Sequence, residues 1–195
     1  MIVKPVTLDG DFVRLEPLRA DHAEALASVG LDPDLWRWIP VKVETLADME
    51  AYVAEALAEQ AQGAALPFAV IWKQTGTVIG STRYAAISRA DLRLEIGWTW
   101  YGRAWQRTPA NTETKRLLLG HAFDDLGCVR VELKTDALNE RSRRAIERLG
   151  AVQEGVFRRH KICRPDGRIR DTVYYAILDS EWPAVRRRLD ERLIA

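Results

Sequence analysis

The sequence predicts an α/β protein built on a mixed sheet covered by helices. Three observations carry the prediction. Stretches that alternate apolar and polar residues recur along the chain. Short connections bearing glycine join neighbouring stretches as hairpins. Two passages run strand, helix, strand, which brings parallel pairing into an otherwise hairpin-built sheet. A chain of 195 residues suits one sizeable domain better than two small ones. No repeat, low-complexity segment or long linker divides it, so residues 1–195 read as a single domain.

Taken in order, "FVRLEPL" from Phe12 to Leu18 alternates as a half-buried strand does. Asp21 to Val29 and Thr45 to Gln62 read as helices. In the second, Leu46, Met49, Val53, Ala56 and Leu57 recur at helical spacing and form one apolar face. Phe68 to Trp72 and Val78 to Ile87 are strands, and "KQTGT" between them supplies the glycine of a tight hairpin. "LRLEIGWTW" alternates again, so that Leu92, Leu94, Ile96, Trp98 and Trp100 are expected to face one way. The loop "WQRTPANTETK" then opens a helix to about Asp125, with Leu117, Leu118, Ala122 and Leu126 on its buried side. "VRVELKT" from Val129 to Thr135 is a strand. "NERSRRAIERLG" is a short helix from Asn139, stopped by Gly150. Two strands follow, around Ala151 to Ile162 and Ile169 to Ile177, joined by the turn "RPDGR". A last helix holds Glu181 to Leu193.

Composition excludes several classes of function. Hydrophobic residues make up 47% and charged residues 29%, the balance of an ordinary soluble globular protein. A net charge of +1 offers no strong field to nucleic acid or an acidic membrane. From Asn139 to Arg170 ten Lys/Arg stand against four Asp/Glu; such a run is more often a solvated face, and a nucleic-acid groove is disfavoured without a set of interleaved exposed aromatics. "MIVKPVTLDGDF" lacks a signal-peptide core, and no run approaches the ~18 apolar residues of a membrane span. Cys128 and Cys163 make neither a disulfide framework nor a metal set, and His22, His121 and His160 are too scattered for a metal or a triad. The expectation is a cytoplasmic protein with reduced thiols and no metal, partnered by neither nucleic acid nor membrane; a homodimer is left open.

The second half resembles the GCN5-related N-acetyltransferases (GNAT), in particular the branch that acetylates ribosomal-protein N-termini. Four features carry the resemblance in the family's order: the strand "LEIGWTW", the loop and helix "QRTPANTE", the helix "NERSRRAIERLGA", and the closing hairpin "EGVFRRH…DGRIRDTVYYAIL". It is close from Leu92 to Leu178 and looser before, through "RLEPLRADHAEAL", "LWRWIP" and "VIG". The resemblance implies a GNAT-like mixed, mostly antiparallel sheet of six to seven strands with helices on both faces. It also implies acetyl-CoA as the acetyl donor and a small-molecule or peptide amine as the acceptor.

In that family the phosphate loop reads Gln/Arg-x-x-Gly-x-Gly/Ala. Aligning the Thr-Glu that follows places Gln106, Pro109 and Asn111 at the three diagnostic positions, so both small positions are changed. The family's glycines let backbone N–H groups approach a pyrophosphate at the positive end of a helix. Pro109 has no N–H, yet proline suits a first helical turn, and Thr108 and Asn111 can donate through their side chains or cap the helix. The resemblance implies coenzyme contacts from Gln106, Arg107, Thr108, Ala110, Asn111 and Thr112. The plainer alternative makes Thr108 and Asn111 helix caps without a ligand.

Acetyl transfer from a thioester needs a neutral amine, donors for the developing oxyanion, and a proton or hydrogen bond for the leaving thiolate. The resemblance assigns the oxyanion donors to the backbone near Trp98, Thr99 and Trp100, where the strand splays from its neighbour. Gly97 marks either a close backbone approach or a packing position. Ser142 shares an inward helical face with Ala145, Ile146 and Leu149, and Asn139 with Ser142 matches the Asn-x-x-Ser whose serine in the family sits near the thioester sulfur. Equally, Asn139 is an N-cap, in reach also of the coenzyme, and Ser142 can bond back to its own helix. Glu95, on the face opposite Leu94 and Ile96 and together with Thr99, is the candidate base; an ion-paired strand carboxylate is the alternative.

An α-amine titrates near ~7.8 and a lysine near ~10.4, so at neutral pH the former is roughly several-hundred-fold richer in nucleophile. That favours an N-terminal or small-molecule acceptor. Arg143 is the candidate for the adenosine 3′-phosphate. Trp36 and Trp38 match a loop near the acceptor site in relatives, with core or lid packing as the alternative. Together these readings give an acetyl-CoA-dependent N-acetyltransferase working by direct attack in a ternary complex. The alternative is a non-catalytic acyl-CoA-binding module that kept the fold.

Overall fold

A computed structural model of the chain describes residues 1–163 and 166–194. One sheet of eight strands runs through it: β1 (Leu8–Asp9), β2 (Val13–Pro17), β3 (Leu66–Trp72), β4 (Thr77–Ser88), β5 (Arg93–Tyr101), β6 (Arg130–Asp136), β7 (Val152–Ile162) and β8 (Ile169–Leu178). Their spatial order is β1-β2-β3-β4-β5-β6-β8-β7, and every neighbouring pair is antiparallel except β5 and β6. The strand beyond the expected six to seven is β1, whose two residues are too few to show an alternation. Pro165 of the expected turn lies outside the described residues; Gly167 takes a positive φ of 68°.

Helices cover both faces and divide the interior into two cores. α1 (Ala23–Gly30), α2 (Pro33–Trp36) and α3 (Leu46–Ala61) pack on Ala69, Ile71 and Trp100. α4 (Ala110–Gly120), α5 (Glu140–Leu149) and α6 (Trp182–Ile194) pack on Phe68, Val70, Leu94, Ile96, Val131 and Leu133. Successive residues of β3 therefore serve opposite cores, as the pleat requires. Local signals set the helix ends. Thr45 and Asp48 form a reciprocal capping box at α3, Asn139 accepts from the Ser142 N–H at α5, and Gly150 closes α5 with φ 105°. Leu46, expected on the apolar face of α3, is the first helical residue and stays 42% exposed. α4 continues as a π-turn over His121–Asp125, with Leu126 N donating to the His121 carbonyl, so the helical stretch does reach Asp125.

The feature that positions the site is a bulge in β5. Ser81 pairs with Trp100 and Arg83 with Gly97, so two steps along β4 face three along β5. Trp98 takes the left-handed conformation, φ 53°, costing about 1–2 kcal/mol for a residue with a Cβ. The strain is held by packing. The Arg83 guanidinium lies 4.5 Å from the Trp98 ring and 5.1 Å from Tyr52, and donates to Glu59 at 2.8 Å.

The extra residue inverts the phase of the strand. Leu94 and Ile96 join the core under α4–α6, whereas Trp98 and Trp100 join the one under α1–α3. The expectation that all five apolar residues face one way is corrected by this single bulge, which also separates Glu95 from Thr99 onto opposite faces.

Candidate active site

β5 and β6 pair only through Arg93↔Arg130, Leu94↔Val131 and Glu95↔Glu132. Beyond Glu95 they part: β6 stays with β8, and β5 stays with β4. Trp98 and Thr99 consequently have no register partner on either neighbouring strand, and they stand at the mouth of the splay.

The loop after β5 leads into the start of α4. Arg107 adopts φ 64°, a left-handed turn made without glycine. The Thr108 hydroxyl donates to the Trp105 carbonyl at 2.7 Å and accepts from Ala110 N at 3.3 Å. Pro109 stands at the N-cap, where its missing N–H costs nothing to the helix. Among the described residues, the N–H groups of Arg107, Thr108, Asn111 and Thr112 have no protein acceptor. Four free donors at the amino end of an eleven-residue helix suit a diphosphate, and the pyrrolidine ring displaces none of them. Gln106 lends structure: its amide donates to the Tyr101 carbonyl at 3.1 Å and accepts from Arg141 at 2.9 Å. That last bond ties the loop to the first turn of α5. Arg143 is turned away, toward Tyr175 and the Ala137 carbonyl, so Arg141 is the arginine beside the loop.

Ser142 is half-buried at the start of α5, and its hydroxyl makes no hydrogen bond among the described residues; the back-bond to its own helix is not formed. Trp36 is a core residue, 5% exposed, with its indole donating to the Gly30 carbonyl and its ring against Tyr52 and Trp100. Trp38 remains half-buried under the Arg168 guanidinium. Glu95 opens onto the other face of the sheet, in a groove of about 450 Å³ lined by Glu132, Glu154, Lys134, Arg130 and Tyr174. Its carboxylate is 3% exposed as a residue and pairs with Lys134 at 2.5 Å. Gly97 makes room for it, since a Cβ there would lie 2.7 Å from Glu95 Oε1. Gly97→Ala is therefore expected to displace the carboxylate, lowering kcat roughly tenfold or more while coenzyme A affinity by calorimetry stays within about twofold.

Two buried charges on α4 escaped the sequence reading. Glu113 accepts backbone N–H bonds from Asp11, Phe12 and Val13 at 2.8, 2.7 and 2.6 Å. Lys115, 6% exposed, donates to Thr99 Oγ1 at 2.7 Å, and burial pushes its amine down to about 7. One signal was present: Asn111, Lys115, Leu118 and Ala122 share a stripe at helical spacing, which sets a lysine among apolar neighbours.

Against known proteins, the model of the acetyltransferase (GNAT) domain matches residues 13–152. The chain belongs to the GNAT acetyltransferase family. This GNAT enzyme is 36% identical to a GCN5-related N-acetyltransferase from Brucella melitensis, with a TM-score of 0.89 over 97% of this chain and 86% of that one. It is 25% identical over 180 residues to the uncharacterized N-acetyltransferase p20 of Bacillus licheniformis, covering 90% of this chain and 98% of the relative. Mycobacterium smegmatis RimJ, solved in complex with CoA-disulfide, shares the GNAT fold at a TM-score of 0.82 and 24% identity, over 96% and 95% of the two chains.

Proposed function

We propose that this N-acetyltransferase moves the acetyl group of acetyl-CoA to a primary amine, a protein N-terminus or a small molecule, by direct attack in a ternary complex. One observation carries the reading: the splay at the β5 bulge, with Trp98 and Thr99 lacking a register partner on either side, ends beside the free N–H groups of the α4 start. Bound there, the coenzyme supplies the activated acetyl group as a thioester. Arg107, Thr108, Asn111 and Thr112 hold its diphosphate, with Gln106, Ala110 and Asn139 shaping the entrance.

The amine enters from the Glu95 face. Its nitrogen forms a bond to the carbonyl carbon, the carbon–sulfur bond breaks, and one amine proton passes to Glu95 directly or through water; the leaving thiolate accepts a hydrogen bond from the Ser142 hydroxyl and takes its proton from solvent as Glu95 releases the one it gained. Backbone N–H groups at Trp98 to Trp100 face the carbonyl oxygen as it gains charge. The groove itself is charge-balanced, with Arg93, Arg130 and Lys134 paired to Glu132, Glu154 and Glu95, so it sets no strong preference for a charged over a neutral acceptor. A ribosomal-protein N-terminus is one acceptor of this class, in line with the Bacillus subtilis relative whose name reads "Putative ribosomal N-acetyltransferase YdaF", 30% identical over 107 residues, 55% of this chain and 57% of that one. A cytoplasmic setting suits the two cysteines, both free and buried.

The test is free-thiol release from acetyl-CoA with a panel of amines, beside thermal stabilisation by coenzyme A alone. Release with at least one amine supports transfer; stabilisation without release on any acceptor makes the chain a coenzyme-binding module. Ser142→Ala is expected to lower turnover by roughly tenfold to a hundredfold and coenzyme affinity far less. Unchanged turnover would remove Ser142 from the reaction.

A further inference from the structure

Lys115 is hard to explain as packing. Its amine is buried and has no carboxylate within ion-pairing distance among the described residues, so an apolar side chain of the same length would fill the site at lower cost. What it does make is one short bond, to the hydroxyl of Thr99, one of the two residues left without a register partner on β4 or β6. Thr99 Oγ1 in turn shares a proton with Thr82 Oγ1 at 2.8 Å and lies 3.4 Å from the Gly97 carbonyl, which Thr82 also approaches at 3.5 Å. A hydroxyl that accepts from an amine has its own proton free for these oxygens. The chain of contacts therefore runs from α4 into the bulge and stops at Gly97, the residue beneath the Glu95 carboxylate.

We propose that Lys115 is a positioning residue for acetyl transfer: through the Thr99 hydroxyl it fixes the backbone of the β5 bulge against which the thioester carbonyl is presented. The inference rests on the transferase reading above. It explains why a costly amine stands in an apolar stripe, and why the bulge keeps its geometry at a step where no register pair with β4 or β6 holds it. Arg83 and Tyr52 hold the Trp98 ring from one face of the sheet, and Lys115 holds Thr99 from the other.

Lys115→Met keeps the length and removes the donor, and Thr99→Val removes its acceptor. Each variant is expected to lose roughly tenfold or more in kcat/KM for acetyl-CoA, and the double variant no more than the worse single, because both break one contact. The thermal midpoint of Lys115→Met should match or exceed that of the parent protein, which a merely structural lysine would not allow. Lys115→Met with kcat/KM within about twofold of the parent, or losses that multiply in the double variant, would overturn the proposal. If the parent protein releases no thiol with any amine, the transferase reading fails on its own. Coenzyme A affinity by calorimetry then decides: about tenfold weaker binding to Lys115→Met supports the positioning role, and equal binding overturns it.

Discussion

Glu113→Ala is expected to cost about 3 to 5 kcal/mol of stability, because three backbone N–H groups lose one carboxylate at once. Val13 is fully buried and has no water to replace the bond, while Asp11 and Phe12 at the turn recover part of the loss from solvent. For a chain of this length the change amounts to a fall of roughly 10 °C in thermal midpoint. Glu113→Gln keeps acceptor oxygen for some of the three and should lose about half as much. Gly10 belongs to the same contact, since a Cβ there would lie 2.5 Å from Glu113 Cδ. Gly10→Ala should therefore destabilise as well, and the pair of changes should cost less than their sum. Urea unfolding of the set measures this. A loss below about 1 kcal/mol for Glu113→Ala would mean that the β1–β2 turn is held to α4 by something else.

A pH-dependent gain is the second large effect. The Lys115 amine, ordinarily near 10.5, is pushed down to about 7 in the folded protein by desolvation alone. Below pH 7 both folded and unfolded chains carry the proton, and the fold bears the full cost of a buried cation. Between about 7 and 10.5 the unfolded chain holds a proton that the folded one has released, so stability rises with pH across that window. Above it both are neutral and the penalty is gone. The advantage of Lys115→Met over the parent should accordingly be greatest at or below neutral pH, and shrink by on the order of 4 kcal/mol toward the top of the window. Urea unfolding near pH 6.5 and near pH 9.5 reads the difference directly. A constant gap between the two proteins would place the amine in water rather than in the interior.

Much of the fold was legible because its signals are local. Asn139 announces a cap by its spacing to the Ser142 N–H, and Gly150 by its place after the last apolar residue. The crossover through α4 followed from a strand, a loop and a helix read in sequence. What stayed hidden is set by tertiary contact. An alternating run looks identical on either side of a bulge, so nothing in "LEIGWTW" told that its tryptophans serve a different core from its leucine and isoleucine. Glu113 and Lys115 drew no notice, because the groups that satisfy the glutamate lie a hundred residues earlier in the chain. Trp36 fell to the interior for the converse reason: a tryptophan near a supposed acceptor loop can also be the largest apolar body available to a small core. The loop between β5 and α4 holds no glycine from Trp105 to Lys115. Its left-handed residue turned out to be Arg107, a position no pattern of glycines would have marked.

The change of phase at Trp98 also bears on how such a protein can diversify. Upstream of that residue Glu95 lines the groove; downstream Trp98 and Trp100 serve a separate layer, roofed by the first three helices. Substitutions that reshape the groove act on residues other than those that fill that helical layer. Adding or removing a single residue there would swap the two layers and ruin both.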